Sequence, residues 1–455
     1  MRKIKNLLKN EIPLLSILFL AFAARMLWII FVPTDQVFDF ANYHMIASNI
    51  ANGYGHTMHG LPVAWQGSGY PIVLGILYFI LGSTREIWGK LLNVVFSMGT
   101  LIFCWFIFIK IFKDKLYALI ALAVVAFLPQ YIAYVNVLGT EVYFTFLLAT
   151  VVFIKVYFKE RRWSFILLGF FIAMAALTRP FMLAYPVIVG VYYFSTSKKL
   201  KQSLIYAALC LGVMILFISP WTIRNFYHFG RFIPISYNSG YVLFINNNDV
   251  NTNGLWMDHM RIVERNPEMY EIISPMMDGR TIHQIHEAEP YFSRWARQWI
   301  LQNPIEYLKM GILRTYRTFF DGANDIPQWA ANVSPLFRYD LTEAERVFYT
   351  RRHNFLNQSA DIITHIINGS GFLFLIVMLK KYAVGFFTKK ISLDLFTAVI
   401  YINFAFFVVV HFLFEGQARY AFPAYIFIIP TMIYICKAIS KFDIIQENNE
   451  NLEEN

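Results

Sequence analysis

Runs of about 20 almost uncharged apolar residues recur along this chain, and a helix needs a run of that length to cross the hydrocarbon core of a bilayer. Ten stretches are read as spans: 12–32, 87–109, 116–135, 138–158, 163–179, 181–196, 202–220, 362–379, 392–413 and 418–436. Of the 455 residues, 57% are hydrophobic and 15% charged, against about 25% charged in an ordinary soluble domain. A water-soluble fold of this length cannot bury so much apolar side chain. A bilayer removes the need, because lipid solvates the outer surface. The expected class is mainly α, a polytopic bundle of membrane helices.

A further apolar run, 70–82, is too short to cross, and the basic residues decide how to read it. Arg2, Lys3, Lys5 and Lys9 precede the first span, and Lys437 and Lys441 follow the last. At or near the breaks between spans lie Lys110, Lys113 and Lys115; Lys155, Lys159, Arg161 and Arg162; Lys198, Lys199 and Lys201; and Lys380, Lys381, Lys389 and Lys390. These are just over half of the 39 basic residues. They share one side only if 70–82 is re-entrant or interfacial, and basic loops mark the cytoplasmic side. Segment 33–84 has no Lys or Arg, which suits the outer side. Both termini are then expected in the cytoplasm, with the first span retained as an uncleaved signal. The chain divides into a membrane core, 1–220, including an outer loop, 33–86; an extracytoplasmic insert, 221–361; C-terminal spans, 362–438; and a cytoplasmic tail, 439–455, whose acidic end is expected to be disordered.

The net charge of +10 is scattered in short clusters between apolar runs. That distribution excludes the continuous basic groove of a nucleic-acid binder. Cys104, Cys210 and Cys436 each lie in an apolar run and read as small buried side chains. No Walker A loop, GxGxxG or GxSxG occurs, which argues against direct use of a nucleotide.

Candidate functional residues cluster at the outer ends of spans. Asp35 and Asp39 follow the first span, and DFANYHMIASNIANGYG reads as a short amphipathic helix with Asp39 at its start. A carboxylate there is held ionised by the helix dipole. It serves either as a cap or as an acceptor of a proton from a substrate hydroxyl. Asn136 and Glu141 flank one outer turn, Arg179 interrupts ALTRPF, and Arg419 follows Glu415 in EGQARYAFPAY. Ionisable residues at such depth face a cavity or a partner, or snorkel to the interface. Arg179, Arg224 and Arg419 all map to outer edges, where together they suit a phosphate at the membrane surface. Arg231 and Asn246–Asn248 follow in the insert. His283, His286, Glu287 and Glu289 carry a His-x-x-His spacing but no HExxH, which leaves a divalent metal open without requiring one. Segment 291–320 mixes aromatic with basic residues, as does a helix lying on lipid headgroups.

Five motifs, in this order, resemble the GT-C glycosyltransferases of the branch that includes protein O-mannosyltransferases and the lipid A aminoarabinose transferase. They are VFDFANYHMIASNIANGYG with WQGSGYPIVLGILYFILG, YVNVLGTEVYFTF, ALTRPF, SPWTIRNFYHFGRFIPIS and EGQARYAFPAY, spanning residues 37–425. The resemblance implies a GT-C-like bundle with juxtamembrane helices on the outer face. It implies a polyprenyl-phosphate-linked sugar as donor, and an acceptor glycan, lipid or protein. Asp39 then takes the place of the family's first-loop aspartate, as catalytic base or organiser of the acceptor, with Asp35, Glu141, Arg179, Arg224, Arg231, Arg419 and Tyr420 as substrate-binding candidates. The expected setting is a bacterial cytoplasmic membrane. A transporter or flippase of lipid-linked saccharides, or a saccharide polymerase or ligase, would use a similar basic cavity, although no repeat or pair of broken helices typical of transporters is evident.

Overall fold

The computed structural model describes residues 2–159, 161, 163–333, 341–387 and 393–453; Arg162, Lys389 and Lys390 of the basic loops lie outside them. The chain folds as a helical bundle with one two-residue hairpin, Thr57–Met58 against Leu61–Pro62. Helix α1 (Arg2–Phe31) leads into a loop holding α2 (Asp39–Ala51) and α3 (Gly69–Leu81). Then come α4 (Glu86–Phe112), α5 (Lys115–Ala126), α6 (Pro129–Ala133), α7 (Thr140–Tyr157), α8 (Ser164–Thr178), α9 (Tyr185–Ser197) and α10 (Leu200–Phe229). The insert carries α11 (Ser239–Asn246), α12 (Met260–Val263), α13 (Pro267–Ile273), α14 (Glu289–Gln302) and α15 (Pro304–Phe320). The chain closes with α16 (Glu343–Phe387), α17 (Leu395–Leu413) and α18 (Tyr425–Glu453).

Among the described residues, seven helices are long and apolar enough to cross a membrane, or eight if a bent pair counts as one span. The bent pair, Lys115–Ala126 with Pro129–Asn136, turns by 57°. Pro129 has no N–H and disfavours helix at Leu128, so the break falls there. Arg25, wholly buried in α1, donates to the Ala126 carbonyl freed by the break (3.0 Å), to Ala21 O (3.0 Å) and to Ser97 Oγ (2.7 Å). The remaining two expected spans, α8 and α9, are only 15 and 13 residues long. Phe19, Leu20 and Ile30 of α1 stay exposed, as lipid-facing side chains should.

Three features depart from the sequence reading. Lys155 is no loop residue: it is buried in α7, and its ammonium donates to Tyr185 Oη (2.8 Å) and Asn403 Oδ1 (3.2 Å). Both α10 and α16 run well beyond their apolar stretches into the insert expected over 221–361. The acidic end expected to be disordered instead continues α18 to Glu453.

Candidate active site

Five separate elements converge on one cavity of about 100 Å³. The first is α2. Phe38 turns the chain with φ 49° and ψ −123°, and Asp39 opens the helix. The WQGSGY loop supplies the second wall, and Gln66 Nε2 donates to Asp39 Oδ1 at 2.7 Å. Only glycine fits at position 67: a Cβ there would lie 2.6 Å from the Leu177 carbonyl oxygen and closer still to that of Thr178. Two backbones therefore touch where WQGSGY meets ALTRPF.

Arg179 stands at the end of α8, extended before Pro180, and its Nη2 donates to Glu141 Oε1 at 2.8 Å. Glu141, on the first turn of α7, is 2% exposed, and its buried Oε2 has no hydrogen-bond partner among the described residues. Arg419 lies in the 3-10 turn Ala418–Ala424 that follows α17. Its Nη2 donates to Asp39 Oδ2 at 2.9 Å, while its Nε donates to Gln417 Oε1 at 2.9 Å. The Tyr420 ring sits 5.2 Å from the Arg179 guanidinium and 5.3 Å from that of Arg419, so the two cations share one aromatic face region. Asn238 of the insert completes the lining.

The electrostatics separate the carboxylates. Burial by itself raises the pKa of Asp39, but the charge and hydrogen bond of Arg419, helped by Gln66, hold it below the usual aspartate range. Asp39 is thus an anion at neutral pH. Glu415, which accepts from Tyr420 Oη (2.9 Å) and Gln417 Nε2 (3.0 Å), is pushed up by burial. Asp325, buried behind the cavity near Tyr134, is pushed up to about 6, also by burial. Chemically, the cavity offers two guanidinium groups for an anionic ligand and two carboxylates for hydroxyls.

The other sequence candidates lie elsewhere. Arg224 does not join Arg179 and Arg419: its guanidinium donates to the carbonyls of His56 (2.8 Å) and Val63 (3.0 Å) and ties the hairpin loop to α10. Arg231 donates to the His286 carbonyl (2.9 Å) and reaches Glu289 at 3.3 Å. Asp35 is exposed, and its backbone N–H donates to Asn332 Oδ1. The His283–Glu289 cluster splits. His283 packs edge-on against Trp65 (5.1 Å), and Glu289 serves Arg231 and Ser293. Among the described residues no group of three His, Cys, Asp or Glu is arranged to hold a metal ion. The cavity's donor set does not suit a divalent cation either, since a guanidinium already faces each carboxylate. Gln66 and Gln417, which orient Asp39 and Arg419, were not singled out by sequence. Their one signal was adjacency, within WQGSGY and EGQARYAFPAY.

No family model and no curated protein matches the chain. Solved structures do. The apo oligosaccharyltransferase of Archaeoglobus fulgidus superposes with a TM-score of 0.50 at 13% identity, over 98% of this chain and 52% of that one. The oligosaccharyltransferase AglB from the same organism, in complex with an inhibitory peptide and a dolichol-phosphate, gives 0.49 at 13% identity, over 96% and 51%. This chain spans about half the length of those structures. The apo superposition establishes a shared fold, a polytopic bundle of helices.

Proposed function

We propose that this protein is a membrane glycosyltransferase that moves a sugar from a polyprenyl-phosphate-linked donor to an acceptor hydroxyl on the extracytoplasmic face. One observation carries the reading: Asp39, Glu141, Arg179 and Arg419 meet in a single cavity at the outer ends of their helices. Within the GT-C fold we favour the single-sugar branch of the O-mannosyl- and aminoarabinose transferases, on the motif order. The membrane is a bacterial cytoplasmic membrane with both termini inside.

The depth of the cavity supports a lipid-linked donor. Counting the bent pair, α8 and α9 gives ten crossings. A 15-residue α8 rises only about 22 Å, short of the roughly 30 Å hydrocarbon core. Its outer end, and Arg179 with it, is then sunk within the outer leaflet, where a polyprenyl phosphate presents its headgroup.

In the reaction, the acceptor oxygen attacks the anomeric carbon from the face opposite the leaving group. The bond from that carbon to the phosphate oxygen breaks, and the configuration inverts. Polyprenyl phosphate leaves with the electron pair. Asp39 orients the acceptor O–H and takes its proton. An arginine-paired carboxylate is a weak base, and the donor phosphate corrects this by drawing Arg419 toward itself, which raises the basicity of Asp39 as the reactants assemble. Arg179 and Arg419 stabilise the departing phosphate. Glu141 Oε2 is an open acceptor for a sugar hydroxyl.

The test is a transfer assay in nanodiscs with a panel of polyprenyl-phosphate sugars and a membrane extract as acceptor source. Asp39→Asn should lose about 10²–10⁴-fold in rate while remaining folded. Near-normal transfer by a folded Asp39→Asn protein removes the assignment. Movement of the labelled donor across liposomes without a new glycosidic bond would instead identify a flippase, and a polymeric product would identify a polymerase or ligase.

A further inference from the structure

Between α15 and α16 the chain makes an unusual turn. Residues Ile326–Ala330 form a single π turn, closed by the Ala331 N–H donating to the Ile326 carbonyl five residues back (3.0 Å). Such turns are rare and concentrate at functional sites. Two residues on, Asn332 takes a left-handed φ of 47°. Nothing in the proposed chemistry uses this segment, yet it is fastened at four places to the short loop that delivers Asp39 and to the first turn of α2. Thr34 Oγ donates to the Ala330 carbonyl at 2.6 Å. The Asp35 N–H donates to Asn332 Oδ1. The Trp329 ring meets Phe38 edge-on at 5.8 Å and Phe40 edge-on at 5.9 Å, one residue on each side of Asp39.

The residue under this load is the strained one. Phe38, with φ 49° and ψ −123°, occupies backbone territory that is costly for any residue with a Cβ and persists only where its surroundings enforce it. The opposite side of the loop is pinned too. Asn136 Nδ2 donates to the Val32 carbonyl (2.8 Å), and Gln36 bridges the Asn136 carbonyl and the Leu138 N–H. Phe40 in turn packs 5.6 Å from the Arg419 guanidinium. A path of contacts thus runs from Trp329 through Phe38 and Phe40 to the Asp39–Arg419 pair.

We infer that the π turn, through Trp329, is a clamp that enforces the Phe38 turn and so aims the Asp39 carboxylate. Trp329 is a positioning residue, acting through Phe38 and Phe40. The effect on transfer rests on the proposed role of Asp39; the mechanical claim does not.

The test uses the full chain in nanodiscs, with two readouts: hydrogen exchange of the peptide covering residues 32–45, and the transfer rate. Trp329→Ala should raise exchange in that peptide while distant spans stay protected. It should lower kcat about 10–100-fold, as a small misplacement of a reacting group does, with KM for the donor nearly unchanged. Trp329→Phe should retain most of the rate. The decisive variant is Trp329→Ala with Phe38→Gly. Glycine adopts that φ freely, so part of the lost rate should return. Unchanged exchange and rate in Trp329→Ala overturn the clamp, as does a loss that follows global unfolding and that Phe38→Gly leaves untouched. If exchange responds as expected but transfer is indifferent to both Trp329→Ala and Asp39→Asn, the clamp stands and the role of Asp39 falls.

Discussion

Two arginines flank the C-terminal end of α17 and do opposite work. Arg419 faces the cavity, pairs with Asp39 and keeps part of its side chain accessible. Arg314, on α15, is wholly buried and touches no carboxylate among the described residues. Its guanidinium donates twice to the Phe412 carbonyl (2.8 and 3.1 Å), and to Asn246 O (3.2 Å) and Asn247 Oδ1 (3.0 Å). Burial pushes its pKa down to about 10, so it remains charged at neutral pH. The difference lies in what a ligand can offer. A carboxylate partner can be exchanged for a phosphate of equal charge, so Arg419 is available to an anion. Backbone carbonyls cannot leave, so Arg314 is committed to joining α11, α15 and α17. Arg25 and Arg224 belong with Arg314, since both donate to backbone carbonyls.

The first way to break this comparison is Arg314→Met. The substitution keeps most of the volume but orphans three acceptors, and should cost about 2–4 kcal/mol in unfolding free energy. Chemical unfolding in a fixed detergent checks it. The molecules that remain folded should transfer sugar at close to the normal rate. A hundredfold drop in transfer with stability intact would show that Arg314 serves chemistry after all.

Arg419→Lys is the complementary experiment. Lysine keeps the charge but cannot hold Gln417 and Asp39 at once through a planar fork. Transfer should fall about 10–100-fold, largely through a higher KM for the donor, because the phosphate loses its two-point partner. Unfolding should change by less than about 1 kcal/mol, as expected for a partly exposed pair. A large stability loss with unaltered KM would move Arg419 into the architectural class.

The sequence carries the membrane class because apolar run length is a local property. It also carries part of the cavity lining: Asp39, Glu141, Arg179, Arg419 and Tyr420 meet there, from motifs far apart in the chain. It cannot separate Arg419 from Arg224. Both are basic residues at the outer end of a span, and only tertiary contacts decide whether a carboxylate or a carbonyl meets them. Lys155 shows the same limit. It stands near other basic residues, so counting charges assigns it to a loop, yet Tyr185 and Asn403 accept it inside the bundle. Gln66 and Gln417 have no sequence signature because an uncharged amide is common in any loop. Phe38 is harder still. Its backbone angles contradict its local preference, and the residues that hold them lie nearly 300 positions away at Ala330 and Asn332.

The smallest effect sharpens the comparison within the site itself, between Asp39 and Glu415. The folded pKa of Asp39 is depressed. Its pairing therefore adds stability above the unfolded aspartate value of about 3.9, and loses it as pH falls through the lower folded value. The folded pKa of Glu415 is raised by burial. The protonated form is then the favoured one, and the stability it brings is full below about 4.3 and is lost as pH rises through the folded value. Asp39→Asn should accordingly lower the melting temperature at pH 7.5 and matter less as the medium becomes strongly acidic. Glu415→Gln, which mimics the protonated acid, should be indifferent under acid and neutral or slightly stabilising at pH 7.5. Melting curves of both variants and the parent across that range check the sign of each slope. Two slopes of the same sign would mean that Arg419 serves both carboxylates alike, and that Asp39 is not the anion singled out to face the substrate.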